Sequence, residues 1–194
     1  MNYNDFAKLL MSEERRSWQD PEQVLDTIGI KPGSTVVDLA CGPGFFTIPI
    51  ARKITTIGRV YAVDSNPTMI DHLQRNLAAA GLHDEVTVIE ADVSKTKIPD
   101  EVADYILFAN VLHDIEDKKS FLREVSRLAG ANCSIVDIDW HKRESEMGPP
   151  MNLRLSEQES RQLLRDSGFS IVRAINAGKY HYGFVCKKQS NRAI

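Results

Sequence analysis

The chain reads as an α/β protein with a Rossmann-like, doubly wound, mostly parallel sheet. Apolar, β-branched runs alternate with segments of helical period along most of its length, which implies a parallel sheet covered on both faces. The first run ends in Asp38 and passes through Gly42 and Gly44 into an apolar helix, the strand–loop–helix pattern of a ligand-binding βα unit. The last two runs, 170–175 and 180–187, are joined by a short loop containing Gly178, so they pair antiparallel at one sheet edge.

The elements follow in order. Asn4-Asp5 can cap a first helix whose Phe6, Leu9 and Leu10 share a face. Asp20 and Pro21 start a second helix that runs to Ile28 and stops at Gly29. Lys31-Pro32-Gly33 turns the chain into the first strand. The glycine loop leads into a helix over residues 45–54, where Pro49 predicts a kink. A second strand, 59–64, ends in Asp64. Asn66-Pro67 then opens a helix with Ile70, Leu73 and Leu77 inward and Gly81 as its stop. Further strands are expected at 86–90, 105–110 and 133–139, with a helix at 117–128 between the last two. Ser156 to Glu159 forms a capping box for the helix that ends at Gly168. The organisation expected is an N-terminal helical cap at 1–30 belonging to the same domain, a main body at 31–188, and a frayed tail at 189–194.

Composition sets limits. With 194 residues, 42% of them apolar, the chain can fill one core and is short for two. A net charge of −3, without long blocks of either sign, argues against a dedicated nucleic-acid binder. Short basic clusters at Arg15-Arg16, Lys118-Lys119, His141-Lys142-Arg143 and Lys187-Lys188 read as solvated surface. No stretch has the apolar length of a membrane span, and the N-terminus lacks the basic and apolar regions of a signal peptide, so a cytoplasmic location is expected. Cys41, Cys133 and Cys186 are odd in number and form no Cys-x-x-Cys pair, which fits reduced thiols; no metal is implied.

The glycine loop carries the chemistry. Glycine at a strand-to-helix turn lets a ligand lie against bare backbone. An acid immediately before that loop repels a pyrophosphate, whereas it suits the ammonium of an amino acid. S-adenosylmethionine carries that ammonium, a sulfonium and no phosphate. Asp64, at the tip of the second strand, can accept from both ribose hydroxyls. Past the third strand, Asp92 can accept from an adenine amine while the N–H of Val93 donates to a ring nitrogen. Asn110 ends the fourth strand. Four successive strand ends thus offer polar groups to one crevice.

On Asp38, Gly42 and Gly44, then Asp64, then Asp92, the chain resembles the class I S-adenosylmethionine-dependent methyltransferases. It looks most like the small-molecule group that includes the quinone-biosynthesis C-methyltransferases. The resemblance is strong over about residues 30–140 and weaker to about 187. It implies a strand order of 3-2-1-4-5-7-6 with the seventh strand antiparallel. It also implies S-adenosylmethionine as cofactor, with Asp38, Cys41, Gly42 and Gly44 at its methionine end, Asp64 and Ser65 at the ribose, and Ala91, Asp92 and Val93 at the adenine. The backbone of Asn110 would face its amino group.

The cover over the cofactor is expected from the N-terminal helices, with Tyr3, Phe6 and Trp18, and from the long connection at 140–155. Methyl transfer is an in-line displacement that depends on alignment, with a base needed only if the acceptor must lose a proton. His113 is the best-placed candidate base, ahead of His141 and His181; otherwise it packs or caps the turn. After Asn110 stand Val111, Leu112 and His113 rather than two prolines and an aromatic, so the clamp for a flipped base is absent. The expected acceptor is a small molecule. The competing readings are an RNA or protein methyltransferase, an NAD-dependent oxidoreductase, and a non-catalytic cofactor-binding subunit. A homo-oligomer is compatible with all of them.

Overall fold

In the computed structural model, which describes residues 2–189, seven strands form one sheet in the order β3-β2-β1-β4-β5-β7-β6. The strands are β1 (Thr35–Leu39), β2 (Arg59–Asp64), β3 (Val86–Glu90), β4 (Ala103–Ala109), β5 (Ala129–Trp140), β6 (Phe169–Asn176) and β7 (His181–Lys188). The first five run parallel, and β7 lies antiparallel between β5 and β6. This is the order the resemblance implies.

Strand alternation splits the core into two layers. On β1, Val36 joins one layer and Val37 the other; on β4, Leu107 joins the first, and Ile106 and Phe108 the second. The first layer is closed by α3 (Pro21–Ile28), α4 (Thr47–Ile54) and α5 (Pro67–Ala80). The second is closed by α6 (Lys118–Leu128) and α7 (Glu157–Asp166). Both faces of the parallel strands are therefore covered, which is why their sequences read as nearly continuous apolar runs.

Most caps follow their sequence signals. Asp20 accepts from the N–H of Gln23, Pro21 occupies the first turn of α3, and Gly29 closes it at φ 80°. Asn66 accepts from Thr68 and Met69 ahead of Pro67, and the reciprocal Ser156–Glu159 capping box is present. Both strands next to α6 begin earlier than expected, β4 at Ala103 and β5 at Ala129 directly after the helix.

Four expectations need correction. Helix α1 (Tyr3–Leu10) is capped by Asn2, whose side chain accepts from the N–H of Asp5, rather than by Asn4-Asp5. A separate helix, α2 (Glu13–Trp18), follows, with Ser12 accepting from the N–H of Arg15. Helix α4 begins only at Thr47, so Pro49 falls in its first turn, where a missing N–H leaves no gap in the hydrogen-bond ladder and requires no kink. Gln189, assigned to the frayed tail, donates its N–H to the carbonyl of Gly168; residues 190–194 lie outside the described ones.

Strand order reverses between β1 and β4, and the crevice at that switch point is where open α/β sheets bind ligands. Helices α1 and α2 sit over it. Helix α1 packs on α5, and α2 is fixed to the β6–β7 turn by two bonds. There the N–H of Lys179 donates to the Trp18 carbonyl at 2.9 Å, and Gln19 Nε2 donates to the Ala177 carbonyl at 3.2 Å. Among the described residues, no helix is long and apolar enough to cross a membrane.

Candidate active site

A cavity of 580 Å³ opens at the carboxyl ends of β1, β2 and β4 under α1 and α2. Of the residues expected to hold the cofactor, Asp38, Cys41, Gly42, Asp64, Ser65, Val93 and Asn110 line it, and so does His113. Gly44, Ala91 and Asp92 do not. A Cβ on Gly44 would come within 2.7 Å of Leu73 Cδ1, so this glycine seats the loop on α5. Asp92 is exposed at the rim, where its Oδ1 accepts from the N–H of Ser94 at 2.8 Å. Gly42 is different: at φ +55° its missing Cβ would meet only Leu10 Cδ1, at 3.8 Å across the opening.

Backbone turns at the strand ends point toward the same space. Ala40 (φ 56°) and Asn110 (φ 62°), just past β1 and β4, both occupy the left-handed region and both line the cavity. Such conformations in non-glycine residues cost about 1–3 kcal/mol and concentrate at binding sites. The Asn110 N–H donates to the Ile138 carbonyl at 2.7 Å, while its side-chain Oδ1 is buried with no partner among the described residues.

Two acids form the floor. Asp38 is buried and accepts from Thr47 Oγ1 at 2.6 Å. Burial pushes its carboxyl up to about 7, with the Thr47 hydrogen bond opposing the rise and the charge of Asp64 adding to it. Asp64 accepts from the Gly42 N–H at 2.8 Å through Oδ2 and from the Asn66 N–H at 2.9 Å through Oδ1. It thereby ties the glycine loop to the start of α5 and keeps further lone pairs for a ligand. Burial raises its pKa as well, against those backbone hydrogen bonds. Cys41 is a buried free thiol, held well above its usual pKa by burial and by the charges of Asp38 and Asp64.

His113 occupies a tight frame. Its Nδ1 lies 2.6 Å from Asp139 Oδ1, its backbone N–H donates to Asp139 Oδ2 at 3.1 Å, and its Nε2 lies 3.4 Å from Asp114 Oδ2. Burial opposes charging of the ring, but the hydrogen bonds and charges of Asp114 and Asp139 outweigh it and carry the pKa to about 9. The raised pKa favours the protonated ring at neutral pH, a form that donates hydrogen bonds.

The remaining wall is aromatic. Trp18 and Trp140, the only tryptophans of the chain, both line the cavity with ring centroids 5.6 Å apart. His181 stacks on Trp18 and lies 4.1 Å from Trp140; burial drives its pKa down to about 2, so it is a neutral aromatic. His141 sits at the rim beside Glu157 at 3.3 Å, with burial and Arg143 lowering its pKa. The connection that contributes Met147, Gly148 and Pro149 to the cavity is organised by Arg154, which is 5% exposed. Its guanidinium donates to the carbonyls of His141, Arg143, Met147 and Pro149 and to Ser145 Oγ, at 2.8–3.1 Å.

Arg15, which lines the cavity, and Gln19 and Arg154, which brace its lining from behind, are residues that sequence reasoning did not single out. Arg15 was grouped with solvated charges, but it is 7% exposed and lines the cavity. Ser12 ahead of two glutamates is the signal that could have placed a short helix there.

The cavity fits S-adenosylmethionine. It offers buried acids for an ammonium and a ribose, backbone open at Gly42, and an unmatched acceptor at Asn110. The model of the methyltransferase domain family matches residues 36–132. A crystal structure of a SAM-dependent methyltransferase from Aquifex aeolicus superposes with a TM-score of 0.89 at 31% identity, over 96% of this chain and 98% of that one. The chain belongs to the methyltransferase-domain family. Curated relatives include 2-phytyl-1,4-naphtoquinone methyltransferase from Trichormus variabilis, 25% identical over 144 residues, which are 74% of this chain and 62% of that protein. The ubiquinone/menaquinone biosynthesis C-methyltransferase UbiE of a Marinomonas species is 26% identical over 75% of this chain and 57% of its own length. The chain therefore spans about three fifths of the length of these curated relatives.

Proposed function

We propose that the protein transfers the methyl group of S-adenosylmethionine to a small, flat, largely apolar acceptor that presents a hydroxyl oxygen. The observation that carries this reading is one shared cavity. It joins the Asp38–Gly42–Asp64 floor to a wall of Trp18, Trp140, Phe6 and Met147, with the charged His113 ring in the same lining. The names of the curated relatives support a quinone-type ring. The cofactor-binding roles of Asp38, Asp64, Val93 and Asn110 rest on their place in that lining.

When bound, the cofactor supplies a methyl group on a positively charged sulfur. Asp38 would receive its ammonium and Asp64 its ribose hydroxyls, while the Val93 N–H and the Asn110 backbone border the adenine and the amino group. Gly44 seats the loop against Leu73, and Ala91 and Asp92, which precede Val93 outside the lining, would approach the adenine edge. The aromatic wall excludes water and holds a planar acceptor in one orientation, which supplies much of the rate in an in-line displacement. His113 Nε2–H, turned from exposed Asp114 to the acceptor's oxygen, would favour the ionised form of that oxygen. A reaction inside the cytoplasm fits three cysteines that are all free and buried.

The test is transfer of label from methyl-labelled S-adenosylmethionine to a panel of hydroxylated naphthalenes and benzenes, with bulk RNA and protein as competing acceptors. Labelled small product with stoichiometric S-adenosylhomocysteine supports the reading. Label confined to RNA or protein overturns it.

A further inference from the structure

Helix α6 carries an acid in its apolar stripe. Phe121, Leu122, Val125 and Leu128 are buried, and Glu124 is buried with them at 8% exposed. Its Oε1 accepts from the N–H of Thr96 at 2.8 Å and from Thr96 Oγ1 at 2.6 Å. Arg127, one turn on, closes the carboxylate, with Nε donating to Oε2 at 2.8 Å and Nη2 to Oε1 at 2.6 Å. Nη1 of the same arginine donates to the Ile98 carbonyl at 2.9 Å and to the Asp100 carboxylate, and the Arg127 carbonyl accepts from the Glu101 N–H at 2.9 Å. Burial opposes ionisation of Glu124, but the hydrogen bonds of Arg127 and Thr96 outweigh it and hold the carboxyl below its usual pKa. Thr96, Ile98, Asp100 and Glu101 all belong to the connection between β3 and β4. A parallel crossover of this length is usually a helix; here residues 91–102 run as turns and irregular chain. The connection opens on a turn in which the Lys95 N–H donates to the Asp92 carbonyl at 2.9 Å, and that turn presents Val93 to the cavity.

We infer that Glu124, braced by Arg127, is a positioning residue for the adenine end of the cofactor: it holds the Asp92–Lys95 turn from behind, so that the Asp92 carboxylate and the Val93 N–H keep one setting. The inference rests on the reading of the cavity as an S-adenosylmethionine site. The turn is tethered on both sides. Ahead of it, the Ala91 N–H donates to the Asp64 carbonyl at 3.1 Å; behind it, Thr96 is held by Glu124. Removing Glu124 therefore frees one side of the turn and leaves the strand pairing of the sheet intact. A buried ion pair is weak evidence of a stabilising role, since well-packed apolar residues often replace one at no loss of stability. Leucine at 124 would simply complete the apolar stripe of α6. What the acid and its arginine supply, and leucine cannot, is a fixed end for the turn that meets the adenine.

The probes are S-adenosylhomocysteine and S-inosylhomocysteine, which differ in the base amine that Asp92 would accept from. By calorimetry, the wild-type chain is expected to prefer the adenine ligand at least about tenfold, the worth of one hydrogen bond to a charged group. Glu124→Leu, folded by circular dichroism, should weaken the adenine ligand at least about fivefold and leave the inosine ligand within about twofold of wild type. Glu124→Gln, which can still accept from Thr96, should recover most of the preference. If Glu124→Leu does not fold, Thr96→Val removes one of the two donors and should show the same selective loss on a smaller scale. A folded Glu124→Leu or Thr96→Val that keeps the full preference overturns the proposal, and so does one that weakens both ligands equally. A wild type that binds both without preference also overturns it, whereas a wild type that binds neither overturns the reading of the cavity itself.

Discussion

His113 Nδ1 and Asp139 Oδ1 lie 2.6 Å apart, with the two side chains 4% and 0% exposed. Asp139 also accepts from the N–H groups of His113 and Trp140, so it is fully engaged when the histidine is charged. A buried pair of this kind positions its members firmly and penalises the loss of either one. The folded-state pKa of His113 is raised from 6.5 to about 9, so its contribution to stability is complete below about 6.5 and is lost as pH rises through 9. Urea unfolding should show a decline in stability between these values. His113→Ala should abolish that decline and cost about 3–5 kcal/mol at pH 6, because Asp139 is left buried without its cation.

Asp64→Ala should weaken S-adenosylmethionine at least about tenfold, since two hydrogen bonds to a charged acceptor are worth about 1.5–3 kcal/mol each. The same change frees the N–H groups of Gly42 and Asn66, so exchange protection at Gly42 should fall as well. Calorimetry and amide exchange on one sample measure both. Unchanged affinity would remove Asp64 from the ribose site.

Burial raises the Asp38 pKa to about 7, into the range where its carboxyl exchanges a proton near neutrality. A ligand ammonium favours the ionised carboxylate, so cofactor binding should release a fraction of a proton at that pH and tighten as pH rises from about 6 to 8. Binding enthalpies measured in buffers of different ionisation enthalpy report this directly. In Asp38→Asn the buffer dependence should disappear. Proton uptake in the wild type would place the ammonium elsewhere.

Arg154→Leu should leave cofactor affinity within about twofold of wild type and raise KM for the acceptor. The connection it orders supplies Met147, Gly148 and Pro149 to the cavity. Four carbonyls lose a charged donor, so residues 141–153 should become the first site of protease cleavage, with at least about 2 kcal/mol of local order removed. Arg154→Lys should behave much like the leucine variant, because a point charge cannot reach partners spread around a planar fork.

What could be read from sequence divides along a physical line. Asp38, Gly42 and Asp64 are legible because strand ends and left-handed turns leave local marks in acids, glycines and β-branched runs. Asp20, Asn66 and Ser156 are legible for the same reason, since a cap is made within three or four residues. Gly44 is legible as a loop glycine, but the room it makes for Leu73 is not, because that side chain comes from another helix. His113 was found, yet its protonation state depends on Asp139, 26 residues away on the next strand. Arg15 and Arg154 were invisible as site residues because most of their partners are backbone carbonyls or a side-chain amide, which carry no compositional signal.

Calorimetric titration of the wild-type chain with S-adenosylmethionine and, separately, with NAD is the most direct test of the reading that the acids flanking the glycine loop exist to hold a cationic nucleoside. The account predicts saturable one-to-one binding of S-adenosylmethionine, lost in Asp64→Ala, and no heat from NAD. Saturable binding of NAD, or none of S-adenosylmethionine, would contradict it.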